Sequence, residues 1–252
     1  MKIKVGLLGF GKAGKAVASI LLLRKETELV WVLKNSAKSK CYSVPEFLGV
    51  ESDEPGLIFS KSEWTAAQLL DKYPVDIIVD FSSSEGISFY GEEARKREIA
   101  IVSAISEYSD DKISYIKQLS KETKVLWSPN ITIGINFLII AAKILKKIAP
   151  YTDIEIIEEH FRDKKEISGT AKKIASNLDI KSDQIKSIRA GGIIGRHEIL
   201  FGFPYQTVRL LHESISREAF GNGALFAALA LVDKEKGLYS MEDLLSPYFS
   251  IN

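Results

Sequence analysis

Three scarcities bound the chemistry of this chain. It has one cysteine, Cys41, in 252 residues, which excludes an intrachain disulfide framework and a thiolate metal cluster. The sequence therefore fits a reducing compartment. It has three histidines, His160, His197 and His212, with no ligand spacing among them, so no metal centre is expected. It has almost no net charge: 34 Lys and Arg against 33 Asp and Glu leave +1. That balance gives no electrostatic footprint for nucleic acid or a membrane surface.

Long apolar runs are scarce too. Residues 17–23 form a short one, but no small-residue cleavage site follows, so no signal peptide is expected. Residues 131–148 are interrupted by Asn136, Lys143, Lys146 and Lys147 and do not read as a membrane span. There is no internal repeat and no low-complexity segment. The expectation is a soluble, cytoplasmic protein acting on a small molecule. With 46% hydrophobic residues, the chain can bury a large core in one domain or two.

Residues 3–8 read as a strand and run straight into Gly9-Phe10-Gly11-Lys12-Ala13-Gly14. The next segment places Ala13, Ala16, Val17, Ile20 and Leu21 on one helical stripe, and a second strand follows at 28–33. A GxGxxG between a strand and an amphipathic helix is a dinucleotide-binding arrangement. Gly9 allows the turn, Gly11 lets a pyrophosphate approach the backbone, and Gly14 lets the helix pack on the strand. The first helical N–H groups, Ala13 among them, face the phosphates. The end of the second strand carries no carboxylate for the ribose hydroxyls. Lys34, Ser36 and Lys38, with Lys12 nearby, suit a 2′-phosphate. The reading leans to NADPH, with NADH as the other candidate.

Strands at 57–59, 75–81, 100–102 and 124–127 alternate with helices at 65–73, one ending near 97, and one starting at 110. This alternation predicts an α/β, doubly wound parallel sheet of Rossmann type. Ligands bind outside the carboxyl ends of such strands. Phe81 and Ser82, Ser103 and Ala104, and Ser128 and Asn130 are thus the cofactor candidates of the post-strand loops.

Beyond residue 130 the pattern changes. A long apolar helix at 133–149 and a strand at 154–157 precede strands at 185–189, 197–203 and 207–214. Consecutive strands without helices predict a second α+β domain with a mixed sheet. Gly191-Gly192 and Gly221-Asn222-Gly223 read as turns, and 224–233 as a helix returning to the first domain. The expected division is 1–129 plus 217–252 for the dinucleotide, and 130–216 for substrate and oligomerisation.

The densest chemistry lies in Glu158-Glu159-His160-Phe161-Arg162-Asp163-Lys164-Lys165-Glu166-Ile167-Ser168-Gly169-Thr170. If the strand runs on through Lys164, alternation puts His160, Arg162 and Lys164 on one face. Thr170 would then open a helix whose N–H groups, with Gly169 allowing close approach, hold a carboxylate. That suits a small dianion needing a proton. The competing reading is a solvated charged loop before a helix cap. His197 and His212 read as strand histidines satisfied by structure.

These motifs together resemble the 4-hydroxy-tetrahydrodipicolinate reductase family of lysine and diaminopimelate biosynthesis. The resemblance runs through GFGKAG, DFSSSEG, SPNITIGIN, EEHFRDK, SGTA, RAGGIIGRHEILF and ISREAFGNGAL. It implies that an NAD(P)H hydride goes to a conjugated cyclic imine dicarboxylate. It implies that His160 is the acid that protonates the product, that Lys164 contacts substrate and supports that transfer, and that the turn Ser168, Gly169, Thr170 holds a substrate carboxylate; the charge of Arg162, read from the residue itself, also favours carboxylate binding. It places Arg189, Arg217 and Phe220 on family positions, the last two near the cofactor. It also implies a homotetramer built through the second sheet.

Three departures surround the expected pocket. Phe161 stands where the family has a second histidine, one residue is missing before Ser168 with Ile167 in place of a proline, and Ser103-Ala104-Ile105-Ser106 replaces Gly-Thr-Thr-Gly. They keep two other readings open: a paralogue reducing a different unsaturated cyclic imino acid, and an NADPH-binding protein without turnover.

Overall fold

The computed structural model describes residues 2–35 and 42–249. Ser36, Lys38 and Cys41 lie outside the described residues. In chain order the elements are β1 (Ile3–Leu8), α1 (Lys12–Leu22), β2 (Thr27–Lys34), α2 (Val44–Leu48), β3 (Leu57–Ser60), α3 (Ala66–Lys72), β4 (Ile77–Asp80), α4 (Gly86–Lys96), β5 (Ala100–Ser103), α5 (Asp110–Leu119) and β6 (Lys124–Trp127). The second part continues with α6 (Ile133–Ile148), β7 (Asp153–His160), α7 (Gly169–Asn177), β8 (Ile185–Arg189), β9 (Arg196–Gly202) and β10 (Thr207–Glu213). The chain ends with α8 (Glu218–Val232), β11 (Gly237–Tyr239) and α9 (Met241–Leu245).

The first sheet is all parallel, in the order β11-β6-β5-β4-β1-β2-β3. Its inner strands are largely buried on both faces, as a parallel sheet covered by helices requires. One core layer gathers Val5, Leu7, Val17, Leu21, Ile77 and Val79 with Ala224, Ala227 and Leu231 of α8. The opposite layer gathers Trp31, Ile78, Tyr90, Ile101 and Ile116. The order reverses between β1 and β4, which places the ligand crevice at their carboxyl ends, beside Gly9 and Phe81.

The second sheet is mixed, in the order β10-β9-β7-β8, with only β7 and β8 parallel. One face packs on α6 and α7 through Ile135, Leu138, Ile139, Ile156, Ile174, Ile199 and Phe201. On the other face Ile188 and Leu211 are exposed.

The α/β reading and the mixed second sheet are borne out. Several local readings are not. Gly221-Asn222-Gly223 is no turn; it lies inside α8. A Cβ on Gly221 would sit 2.6 Å from Ile20, and one on Gly223 would sit 2.0 Å from the Ile131 carbonyl oxygen. These glycines let α8 pack against α1 and the 131–132 backbone. Helix α8 also starts earlier than expected, at Glu218, and β11 adds a seventh strand that its three residues do not announce.

Candidate active site

Three glycines shape the crevice in different ways. Gly9 has φ +92° and a Cβ there would sit 2.6 Å from the Phe81 carbonyl; a Cβ on Gly14 would sit 2.0 Å from the Gly9 oxygen. Only Gly11 faces open space, with nothing within 4 Å of its missing Cβ. That is the opening a phosphate needs to reach main-chain N–H groups at the start of α1. A cavity of about 550 Å³ on one side is lined by Gly9, Gly11, Lys34, Lys61, Ser82 and Glu85. Another, of about 440 Å³, is lined by Ala13, Phe81, Ser82, Ala104, Pro129 and Phe220. These features fit a dinucleotide.

Asp80, at the end of β4, fixes the loop between the two cavities. It is fully buried and accepts from the Ser82 N–H (2.8 Å), the Ser82 hydroxyl (2.6 Å) and the Tyr90 hydroxyl (3.0 Å). Burial raises its pKa, against those hydrogen bonds. Lys61 is a cation the sequence reading did not single out; its N–H donates to the Lys34 carbonyl at 2.8 Å, which puts both lysines at the mouth of one cavity. The signal was present, since each lysine is the residue at or just past the end of a strand. Ser103 and Ser128 instead point inward, Ser103 to the Tyr108 hydroxyl (2.8 Å) and Ser128 to the Asn130 carbonyl (2.7 Å). Lys12 and Arg217 line a third cleft together with Lys15.

The second sheet builds a separate cavity of about 260 Å³. Among its lining residues are Asn130, His160, Thr170, His197, His212 and Arg217. Phe220 lines both this cavity and that of Ala13 and Ala104, so the two adjoin. The antiparallel pairs place Glu158 opposite His197 and His197 opposite His212. His160 and His197 meet edge to face with centroids 5.2 Å apart. His212 fits because residue 134 is glycine, where a Cβ would lie 2.6 Å from the ring.

Glu158 is the buried hub beside this cavity. Its carboxylate accepts from the Ser187 hydroxyl (2.6 Å), Arg189 Nη2 (2.6 Å) and, more weakly, the Ser168 N–H (3.3 Å). His160 Nδ1 lies 2.8 Å from its other oxygen, close but out of line for a hydrogen bond. Burial pushes the Glu158 pKa up, yet the hydrogen bonds and His160 outweigh it and hold the carboxyl at about 2. Burial also pushes His160 below its usual value; Glu158 opposes this, while Lys164 and Arg189 add to it. His197 is pushed to about 4, mainly by burial, and burial lowers His212 as well.

Strand β7 ends at His160 rather than running on to Lys164, so alternation does not place Arg162 and Lys164 beside it. The physical reason is a fold-back: the Arg162 N–H donates to the Gly191 carbonyl and the Lys164 N–H to the Phe161 carbonyl. Arg189 pins this loop from outside, donating to the carbonyls of Lys164 (2.8 Å) and Glu166 (2.9 Å). Arg162 and Phe161 are exposed, and none of residues 161–164 lines the histidine cavity. Ser168, not Thr170, caps α7; its hydroxyl accepts from the Ala171 N–H at 3.0 Å. Gly169 is exposed and Thr170 faces the cavity, where its hydroxyl accepts from the Asn130 amide at 3.2 Å.

His197 and His212 belong to the cavity, contrary to their reading as purely structural. Only strand pairing across 37 to 52 positions of sequence brings them to His160, and no local spacing encodes that.

Comparison with known proteins adds the following. Residues 3–131 match the family model "Dihydrodipicolinate reductase, N-terminus", and residues 131–245 match "Dihydrodipicolinate reductase, C-terminus". A 4-hydroxy-tetrahydrodipicolinate reductase of Caldanaerobacter subterraneus subsp. tengcongensis is 36% identical over 69% of this chain and 78% of its own length. One from Colwellia psychrerythraea is 29% identical over 97% of this chain and 98% of its own. A dipicolinate-bound dihydrodipicolinate reductase from Paenisporosarcina sp. TG-14 shares the fold, with TM-score 0.78, 23% identity, and coverage of 95% of this chain and 98% of that one.

Proposed function

Because this chain belongs to the dihydrodipicolinate reductase family, we infer that it reduces 4-hydroxy-tetrahydrodipicolinate to tetrahydrodipicolinate in lysine and diaminopimelate biosynthesis, using NAD(P)H. The observation that carries this reading is the junction of two cavities at Phe220, one beside the glycine-rich loop and one holding His160. Loss of the 4-hydroxyl as water gives the conjugated imine, and a dinucleotide held at Gly11 and the start of α1 would supply a hydride to its electron-poor end. His160 supplies the proton the ring then takes up. Its lowered pKa favours the neutral form in the free protein, but a dianionic substrate beside it favours the charged, proton-donating form. Acid loading and substrate binding are therefore linked.

Gly169, Thr170 and the open N–H groups of α7 hold one carboxylate, with Asn130 fixing the Thr170 hydroxyl. Ser168 keeps this turn in place as the helix cap. Lys164 and Arg162 act from the rim as attracting charges. Lys34 and Lys61 at the ribose end favour NADPH, by pairing with a 2′-phosphate. We assign residues 1–129 and 217–252 to the dinucleotide and 130–216 to the substrate and to subunit contacts, the latter through the sheet face that carries Ile188 and Leu211. Among the described residues no helix is long and apolar enough to cross a membrane.

The paralogue reading drew on Phe161, the shortened loop before Ser168 and the Ser103–Ser106 loop; Phe161 does not line the histidine cavity, whereas Ala104, Ile105 and Ser106 line the adjoining one, and the pathway substrate is the first to test. The test is NADPH oxidation when a synthase generates the substrate in situ from pyruvate and aspartate semialdehyde. Rapid oxidation that is lost in His160→Ala, with NADPH still bound, supports the assignment. Full activity in that variant overturns the role of His160, and no oxidation by the unaltered protein overturns the function.

A further inference from the structure

We propose that His197 is a substrate-binding residue, whose Nδ1–H donates a hydrogen bond to the cyclic dicarboxylate held in the cavity it shares with His160 and His212. The proposal rests on the cavity being the substrate site, as inferred above.

One hydroxyl sets the tautomer of His197. Ser168 Oγ already accepts from the Ala171 N–H at 3.0 Å and lies 3.0 Å from His197 Nε2. A hydroxyl has a single proton to give. If His197 Nε2 carried a proton, the Ser168 hydroxyl would accept twice and its own proton would have no acceptor among the described residues. The arrangement that satisfies both groups has Ser168 donating to an unprotonated Nε2. Burial, which holds His197 neutral down to about pH 4, agrees with one proton on the ring. That proton is then on Nδ1.

Nδ1 of His197 is buried and has no hydrogen-bond partner among the described residues, and the residue is only 5% exposed. A buried donor without an acceptor is costly and uncommon in folded proteins. The ring is part of the cavity wall beside Thr170 and His160, where an anionic ligand brings acceptors.

Two variants separate binding from scaffolding. In His197→Gln the longer amide reaches the Nε2 position, keeping the tie to Ser168 but losing the Nδ1 donor. In His197→Asn the amide nitrogen takes the Nδ1 position and the tie to Ser168 is lost. The measurements are KM for the substrate in the coupled assay and, separately, the NADPH dissociation constant. Loss of one hydrogen bond to a charged ligand predicts a KM raised about tenfold or more in His197→Gln, a smaller rise in His197→Asn, and unchanged NADPH binding in both. An unaltered KM in His197→Gln, or equal rises in the two variants, overturns the proposal.

A second measurement needs no variant. In the unaltered protein, ¹⁵N NMR should show His197 as the Nδ1–H form, with that nitrogen shifting when pyridine-2,6-dicarboxylate is added. An Nε2–H form, or no shift at a saturating concentration, overturns it. Absence of turnover by the unaltered protein would strike the functional reading itself, whereas turnover with an unaffected His197→Gln strikes the His197 assignment alone.

Discussion

The two halves of this molecule prepare to bind charged ligands in opposite ways. The dinucleotide half does so mainly by omission: Gly9 and Gly14 remove side chains so that backbone packs on backbone, and Gly11 leaves a gap where a phosphate fits. The second half, proposed to take the substrate, does so by accumulation. Buried Glu158, Ser168, His160 and His197, with Arg189 and Ser187 at their edge, form a polar cluster drawn from β7, β8, β9 and the start of α7. A site of the first kind is robust to charge changes and fragile to added atoms. One of the second kind tolerates little change in charge, because each buried group depends on its partner.

That contrast can be broken at either end. The largest effect is expected at the acid itself: His160→Ala should lower kcat by about 10²- to 10⁴-fold, read in the coupled assay, while NADPH titration shows an intact first half. Next comes Glu158→Gln, which leaves the part-buried Arg189 guanidinium without its carboxylate and should cost roughly 1–3 kcal/mol of stability, measured by denaturant unfolding. The pH dependence shows which groups are responsible. Unfolded histidines take protons below about pH 6.5 that the buried ones resist, so stability falls first in that range. Glu158 is ionised in the folded state down to about pH 2, so its contribution is full above the unfolded value of about 4.3 and is lost as pH falls through 2. In Glu158→Gln the first fall should remain and the second should shrink to what the other paired carboxylates, such as Glu93, contribute.

Smaller effects sharpen the other end. Gly14→Ala puts a methyl 2.0 Å from the Gly9 oxygen and should cost about 1–3 kcal/mol through forced repacking, with weaker NADPH binding and an unchanged His160 pKa. The smallest change is expected for Lys34→Ala or Lys61→Ala. Each should weaken NADPH by about threefold to tenfold, near 1 kcal/mol, and leave NADH binding alone. Equal losses for both cofactors would show that these lysines do not read the 2′-phosphate.

Legibility divides along the same line. The first half was readable because its information is local: a strand, six residues of GxGxxG and a helical stripe adjoin in sequence, and alternation then gives the sheet. What escaped there lacked local signal, as with the three residues of β11, or carried a misleading one. Gly221 and Gly223 resemble a turn because glycine usually breaks helices. Here close contact with Ile20 and the Ile131 carbonyl overrides that preference. In the second half the reactive stretch was legible as a cluster, but its geometry was not. Period-2 alternation misplaced Arg162 and Lys164 because the chain folds back after His160, and His197 and His212 join the site only through strand pairing. Glu158 was in plain view in that stretch, yet its role required knowing that Arg189 pairs beside it.

Arg189 has one more consequence. The segment from Phe161 to Ile167 is gripped by its main chain, at the carbonyls of Lys164 and Glu166, and its side chains are not part of the grip. Such a tether is indifferent to spelling. Exchanging a side chain there leaves the anchored carbonyls and their guanidinium in place. The path of the segment is thus set apart from the identity of its side chains, which leaves Arg162 and Lys164 at the rim as charges the tether does not use.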